Sequence, residues 1–152
     1  MSNTQAMCSS FKSEILSGIH ALGTTVVRGA TTADSIKGAL YLASATVNAA
    51  TTVYSATNEV SNSGSYTAGG ILFTNATPPS TSGTTGIWTP SASWTTGSGF
   101  SATAFDTILV YNFTQGNKAI SVHTFGSQTI VSGTFTLTMP TNDSSNALIR
   151  IA

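Results

Sequence analysis

The chain has 152 residues, of which 7 % are charged, and five basic and five acidic side chains cancel to zero net charge. So few cations exclude the basic footprint that a nucleic-acid-binding surface needs, and one cysteine, Cys8, excludes an intrachain disulfide. The length suits one domain with its own core.

An ordinary soluble domain carries roughly 25 % charge. Here Ser and Thr take over as the surface polar groups, and no charge falls between Glu59 and Asp106. A chain this neutral is poorly protected against self-association. Composition therefore leaves two readings open: a protein that works assembled, and a Ser/Thr-rich secreted β-domain. Residues 1–7 lack a basic stretch followed by an apolar run, so no secretory signal is expected. No apolar run approaches the length of a membrane span.

Residues 1–8 read as a polar arm. Ser9 or Ser10 caps a helix start, and Phe11, Ile15, Ile19 and Leu22 then recur at helical spacing. Gly23 is the expected stop, with Gly18 weakening the middle by about 1 kcal/mol relative to Ala. So short a helix is marginal alone. Its stripe must dock on the chain's own sheet or on a neighbouring subunit. Thr24, Thr25 and 29–33 read as connectors, which divides the chain into an arm with a short helix (1–29) and a β domain (30–152).

From Asp34 to Leu42 the period becomes two, with Ile36, Gly38, Leu40 and Leu42 on one face. Residues 43–52 are a loop or short helix, and Val53 to Val60 a possible strand. Ser61 to Ser65 is a turn. Gly69-Gly70, before the short strand Ile71 to Thr74, signals a bulge or a close backbone approach. Thr77 to Gly86 reads as a surface loop. Ile87-Trp88 and Ser93-Trp94-Thr95 are strand pieces split by Pro90, and Thr95 to Ser101 is a loop.

Phe105 to Phe113 is β-branched and aromatic, suited to a pleated surface. Thr114 to Asn117 is a turn, and Lys118 to Phe125 a second strand that breaks at Gly126-Ser127-Gln128. Thr134 to Met139 alternates, with Phe135, Leu137 and Met139 on one side and three threonines on the other. These three strands form a β-meander that the rest of the chain pairs with or covers. The apolar stretch Ala147 to Ala152 belongs to the sheet. About eight short strands at regular spacing predict a mainly β fold: an antiparallel β-sandwich, jelly-roll-like, with a short N-terminal helix.

Few residues have the pattern of chemistry. His20 and His123 lie far apart, neither with a second ligand at metal spacing. Asp106 and Glu59 are the only acids in the β region that could form a glycosidase pair, and Asp106 reads better as a strand-edge residue. Gly97-Ser98-Gly99 lacks the following helix of a nucleophile elbow, and Gly69-Gly70 leads into a strand rather than a phosphate cradle. The residues therefore predict no enzyme, no catalytic, cofactor or metal site, and no nucleic-acid or membrane partner. Tyr66, Trp88 and Trp94 sit among polar loops and are either sugar-stacking surfaces or core anchors. Asn75-Ala76-Thr77, Asn112-Phe113-Thr114 and Asn142-Asp143-Ser144 match the glycosylation pattern by chance.

Phe11-Lys12-Ser13-Glu14-Ile15-Leu16-Ser17-Gly18-Ile19-His20 carries a resemblance. Together with Asp34 to Tyr41, Thr57 to Val60, Tyr66 to Gly70 and Phe125 to Leu137, it resembles small structural proteins of tailed bacteriophages, over nearly the whole chain. Within that group it is most like a capsid decoration (cement) protein. The resemblance implies a virion component assembled in the bacterial host cytoplasm. It further implies a homo-oligomer, dimer or trimer, whose partner is the major capsid protein. A tail, neck or fibre component of the same virion and a glycan- or receptor-binding β-module are the alternatives.

Overall fold

The fold was described from a computed structural model covering residues 3–16, 18–23, 32–74, 78–90 and 93–152. The expected boundary between 29 and 30, most of the connector before Asp34 and the Asn75-Ala76-Thr77 pattern lie outside the described residues. The protein is mainly β, with every paired strand antiparallel and one short helix.

The arm is not free. Ala6–Met7 (β1) pairs with Val122 and Ser121, and Ser9–Leu16 (α1) follows at once. The helix ends six residues before the expected Leu22, and Gly18 is the reason. Its φ is +67°, its N–H donates to Ile15 O at 3.1 Å, and the N–H of Ile19 donates to Glu14 O at 2.9 Å. That pair of bonds is a Schellman motif, for which glycine is the favoured left-handed residue. Gly18 therefore closes the helix rather than weakening it. Of the predicted stripe, Phe11 is fully buried, and the helix docks on its own chain's core with Cys8 beside it.

Ile36–Leu42 (β2) is central rather than one-faced: Ile36 and Leu40 are buried, and so are Ala39 and Tyr41 on the opposite face. Ile71–Leu72 (β3) flanks it, at Gly38↔Ile71. The predicted close approach occurs here. A Cβ on Gly70 (φ +78°) would lie 2.3 Å from Gly38 O. Residues 53–60 form no strand. They cross the sheet with single bridges at Val53↔Lys118 and Tyr41↔Glu59.

Residues 77–86 are not a plain loop. Ser80–Ser82 (β4) and Thr85–Trp88 (β5) make a hairpin across it. Pro78, Pro79, Gly83 and Gly86 hid the strands, because Pro and Gly are depleted in strands. Trp94–Thr95 (β6) is followed by Phe100–Asn112 (β7) and Lys118–Gly133 (β8). β8 continues past Gly126 to Gln128, and the expected break is a register shift there: Thr107 pairs with Thr124 but Phe105 with Gln128. The last strands are Thr136–Leu137 (β9) and Ile149–Ile151 (β10).

The predicted meander is replaced by something else. The larger sheet has the order β1-β8-β7-β2-β3, so β8's outer neighbour is β1, not β9. β9 instead pairs with β6, through Trp94↔Leu137 and Thr95↔Thr136. This ladder continues the β7–β8 ladder beyond Phe100↔Gly133, with Thr96 N–H donating to Phe135 O at 2.9 Å between the two. Trp94–Asn112 and Lys118–Leu137 are thus one long ribbon. In a straight ribbon Phe125 and Phe135 would stand about 33 Å apart. Their ring centroids are 5.6 Å apart, so the ribbon folds back on itself.

The bend lies at bulges, with Ala104 (φ 49°) and Ser132 (φ 51°) in left-handed conformation. Bulges are the usual means of turning a strand through a sandwich corner. Phe100, Phe105, Phe125 and Phe135 fill the inside of the bend with mostly edge-to-face contacts, 5.1 Å for Phe105–Phe135. Phe135, Leu137 and Met139 all face the core, as their alternation predicted. A third sheet, β10-β5-β4, contributes Trp88 and Ile149 to the same core. The result is sandwich-like.

Candidate interaction surface

The titratable side chains singled out in the sequence are mostly bound to one another inside. Glu59 accepts from Tyr54 Oη at 2.6 Å, Tyr66 Oη at 2.7 Å and Gly69 N at 2.8 Å. Tyr41 donates to Ser55 O and Tyr111 to Gly69 O, and Tyr54 stacks on Tyr111 with centroids 4.7 Å apart. All four tyrosines of the chain therefore gather around this acid. Burial, and then the Glu59 charge, raises the hydroxyl pKa of Tyr54 and Tyr66 and pushes Tyr111 up to about 12. Tyr41 also rises to about 12, chiefly through burial. Asp106, the other carboxylate considered, accepts from Asn3 Nδ2 and Thr107 Oγ1, both at 2.7 Å. The two acids bond to different partners.

His20 lies just past the helix, not on it. Asn112 Nδ2 donates to His20 Nδ1 at 3.0 Å and to Asp34 Oδ2 at 2.7 Å. His20 Nε2–H is then left to donate to Glu14 Oε2 at 2.8 Å, while Lys118 Nζ holds Glu14 Oε1 at 2.9 Å. Burial opposes the charge on Glu14, but the bonds from Lys118 and His20 outweigh it and lower the pKa. This network ties the N-terminal segment to the β7–β8 turn. It forms the polar end of a cleft of about 690 Å³ beside Ile19, Trp88 and Ile151, but its atoms are committed to each other. Asn112 is fully buried, which removes its glycosylation pattern from consideration. Burial pushes the Cys8 thiol up to about 11.

Of the aromatic trio, Trp88 and Tyr66 are buried core anchors. Trp94 is half-buried, with its ring edge-on to Tyr66 at 5.9 Å. The three make no open stacking platform.

What remains open is the side of the sandwich. β1 ends the larger sheet and β10 ends the sheet β10-β5-β4, and neither has an outer strand among the described residues. Both line one groove of about 650 Å³. Its floor is β8, where Ser121 Oγ lies 2.9 Å from His123 Nε2. Two residues apart on a strand, these side chains share a face, as the alternation of this strand in the sequence places them. Burial lowers His123 to about 4, so the imidazole is neutral at pH 7. Arg150 is the only Lys, Arg, Asp or Glu on the groove wall. Walls with a single charge, and two strand edges without an outer strand among the described residues, suit an extended main chain.

Among the described residues no group of three or more His, Cys, Asp or Glu could hold a metal ion. No described helix is long and apolar enough to cross a membrane. Comparisons with protein-family models, with curated proteins and with solved structures found no match.

Proposed function

We propose that this chain is a non-enzymatic structural protein of a tailed-phage virion. It binds the outside of the capsid shell as a decoration (cement) protein and bridges major capsid protein subunits as a homo-oligomer. The observation that carries the reading is the groove between β1 and β10, where two strand edges have no outer strand among the described residues, in an almost uncharged setting. Burying such a surface against a partner desolvates little charge, so the contact meets a small opposing cost. The engagement of Glu14, His20 and Asp34 in one hydrogen-bonded network supports a role without turnover.

The mechanism is additive. Each copy binds a surface present only in the assembled shell, and ligation of that state alone stabilises it by mass action. A ladder of two or three residues per edge is weak singly, and many linked contacts supply the strength.

Quantifying the chain on purified virions tests this. Hundreds of copies per particle, lost together with shell stability on deletion, is the expected result. Tens of copies or fewer would move the protein to the tail, neck or fibre, and absence from particles would overturn the reading.

A further inference from the structure

We propose that the groove between β1 and β10 takes an extended segment of another protein, one that carries a large apolar side chain and, two residues away, a carboxylate. Identifying that segment with an arm of the major capsid protein rests on the virion reading above.

A smaller cavity adjoins the groove. It measures about 210 Å³ and is walled by Ile108, Phe125, Leu137 and Met139 among others. Groove and cavity meet at His123, Thr124, Pro140 and Leu148, which line both. An apolar cavity of roughly 150 Å³ is enough for a benzene ring, so this one has room for a Leu, Met or Phe side chain reaching in from the groove. Such a pocketed side chain is the kind of anchor that dominates an interface.

The carboxylate belongs to Arg150. This side chain is exposed, and its Nη1 donates to Ser145 O at 2.5 Å, which orients the guanidinium. Arg150 has no ion pair among the described residues, whereas Lys118 is held by Glu14 and Lys37 lies 4.1 Å from the centre of the Phe113 ring. A guanidinium presents a fork that matches a carboxylate. Leu148, at the junction with the cavity, and Arg150 both line the groove, while Ile151 lines the cleft beside Trp88. Two residues of extended chain span about 7 Å. A strand laid along β10 therefore offers side chains i and i+2, which share a face, to the cavity and to Arg150.

Charge also excludes a second copy as the occupant. All five acids of this chain are engaged internally: Glu14 with Lys118, Asp34 with Asn112, Glu59 with Tyr66, Asp106 with Thr107 and Asp143 with Asn146. None is left for Arg150. A basic segment would bring like charge to Arg150, and a second acid would find no other Lys or Arg on the groove wall.

A library of random peptides, displayed and panned against the folded chain, tests this. The expected consensus is a large apolar residue with Asp or Glu two positions away. An enriched peptide, synthesised with both ends capped, is expected to bind roughly tenfold or more weakly when its acid becomes the amide or its apolar residue becomes Ala. Arg150→Gln is expected to weaken the acidic peptide by a similar factor and leave the amide peptide unchanged, with the melting temperature unmoved. The peptide variants need no change to the protein, so they decide the matter even if Arg150→Gln folds poorly. No enrichment, a basic or charge-free consensus, or an equal effect of Arg150→Gln on both peptides would overturn the proposal. So would self-association in sedimentation that the peptide abolishes, since a second copy would then fill the groove. Absence from virions would remove the capsid arm and leave the peptide preference standing.

Discussion

The Tyr66 hydroxyl donates to Glu59 Oε1 at 2.7 Å while accepting the backbone N–H of Leu40 at 2.9 Å. One phenol thus joins a buried acid to the central strand. Tyr66→Phe leaves both partners short of a bond and is expected to cost about 1–3 kcal/mol, read from urea denaturation. Glu59→Ala, which strands three donors, is expected to cost more. A fully folded Glu59→Ala protein of unchanged stability would contradict this account of the cluster.

Alkaline titration gives a second check. The folded-state pKa values of the four tyrosines lie above the unfolded value of 10.0. Their stabilising effect is whole below pH 10 and is lost as pH rises through the folded values, about 12 for Tyr41 and Tyr111. Tyrosinate absorbance should therefore stay low at pH 10 and rise together with unfolding. Four phenols ionising near pH 10 in a folded chain would refute it.

On the acid side two groups act in sequence. His123 titrates at about 4 folded against 6.5 unfolded. Its depressed value gives stability that is complete above pH 6.5 and falls away toward pH 4, by up to about 3 kcal/mol. His123→Gln should flatten the stability curve across that window, with NMR following the ring. A ring that protonates near 6.5 in the native protein would be the contrary result.

Glu14 acts lower. Its pKa is depressed from 4.5, so its contribution is present above that value and is lost as pH drops through the folded one. Glu14→Gln is expected to cost about 2 kcal/mol at pH 7, the scale of hydrogen bonds to a charged group. The deficit should shrink as pH falls progressively below 4.5. Thermal melts along that descent measure it, and an equal deficit throughout would remove the charge from the explanation.

Gly70→Ala and Gly38→Ala separate two kinds of crowding. A Cβ at Gly38 meets ring and methyl atoms, Phe73 Cζ at 2.4 Å and Ile108 Cδ1 at 2.7 Å, whereas at Gly70 it meets the backbone of Gly38. Side chains yield in part, at a cost of about 1–3 kcal/mol. Gly70→Ala should therefore be the worse by denaturant midpoint, and the reverse order would be wrong for this packing.

Local signals were legible where one face of a strand meets water. Thr134 to Met139 shows its inward side chains in the sequence, and so does the turn at Thr114 to Asn117. β2 hid its second buried face because Ala39 and Tyr41 sit at positions that alternation assigns to the outside. Gly18 misled as a helix-interior residue, since spacing alone does not reveal a left-handed cap. Gly126 marked a register shift within a continuing strand rather than the end of one. The tyrosine cluster was invisible, its members lying at 41, 54, 66 and 111. The groove was equally hidden, because its edges come from opposite ends of the chain.

The pairing of β1 with β8, Ala6↔Val122, bears on biogenesis. The first strand leaves the ribosome long before its partner exists, so the sheet cannot be completed during most of synthesis. Contacts between such distant segments fold slowly. Until they form, Cys8 and the β8 edge at Ser121 and Val122 stay uncovered in the newborn polypeptide. Productive maturation therefore competes with clumping in a crowded cell, and cooler or slower expression should raise the yield of material able to assemble.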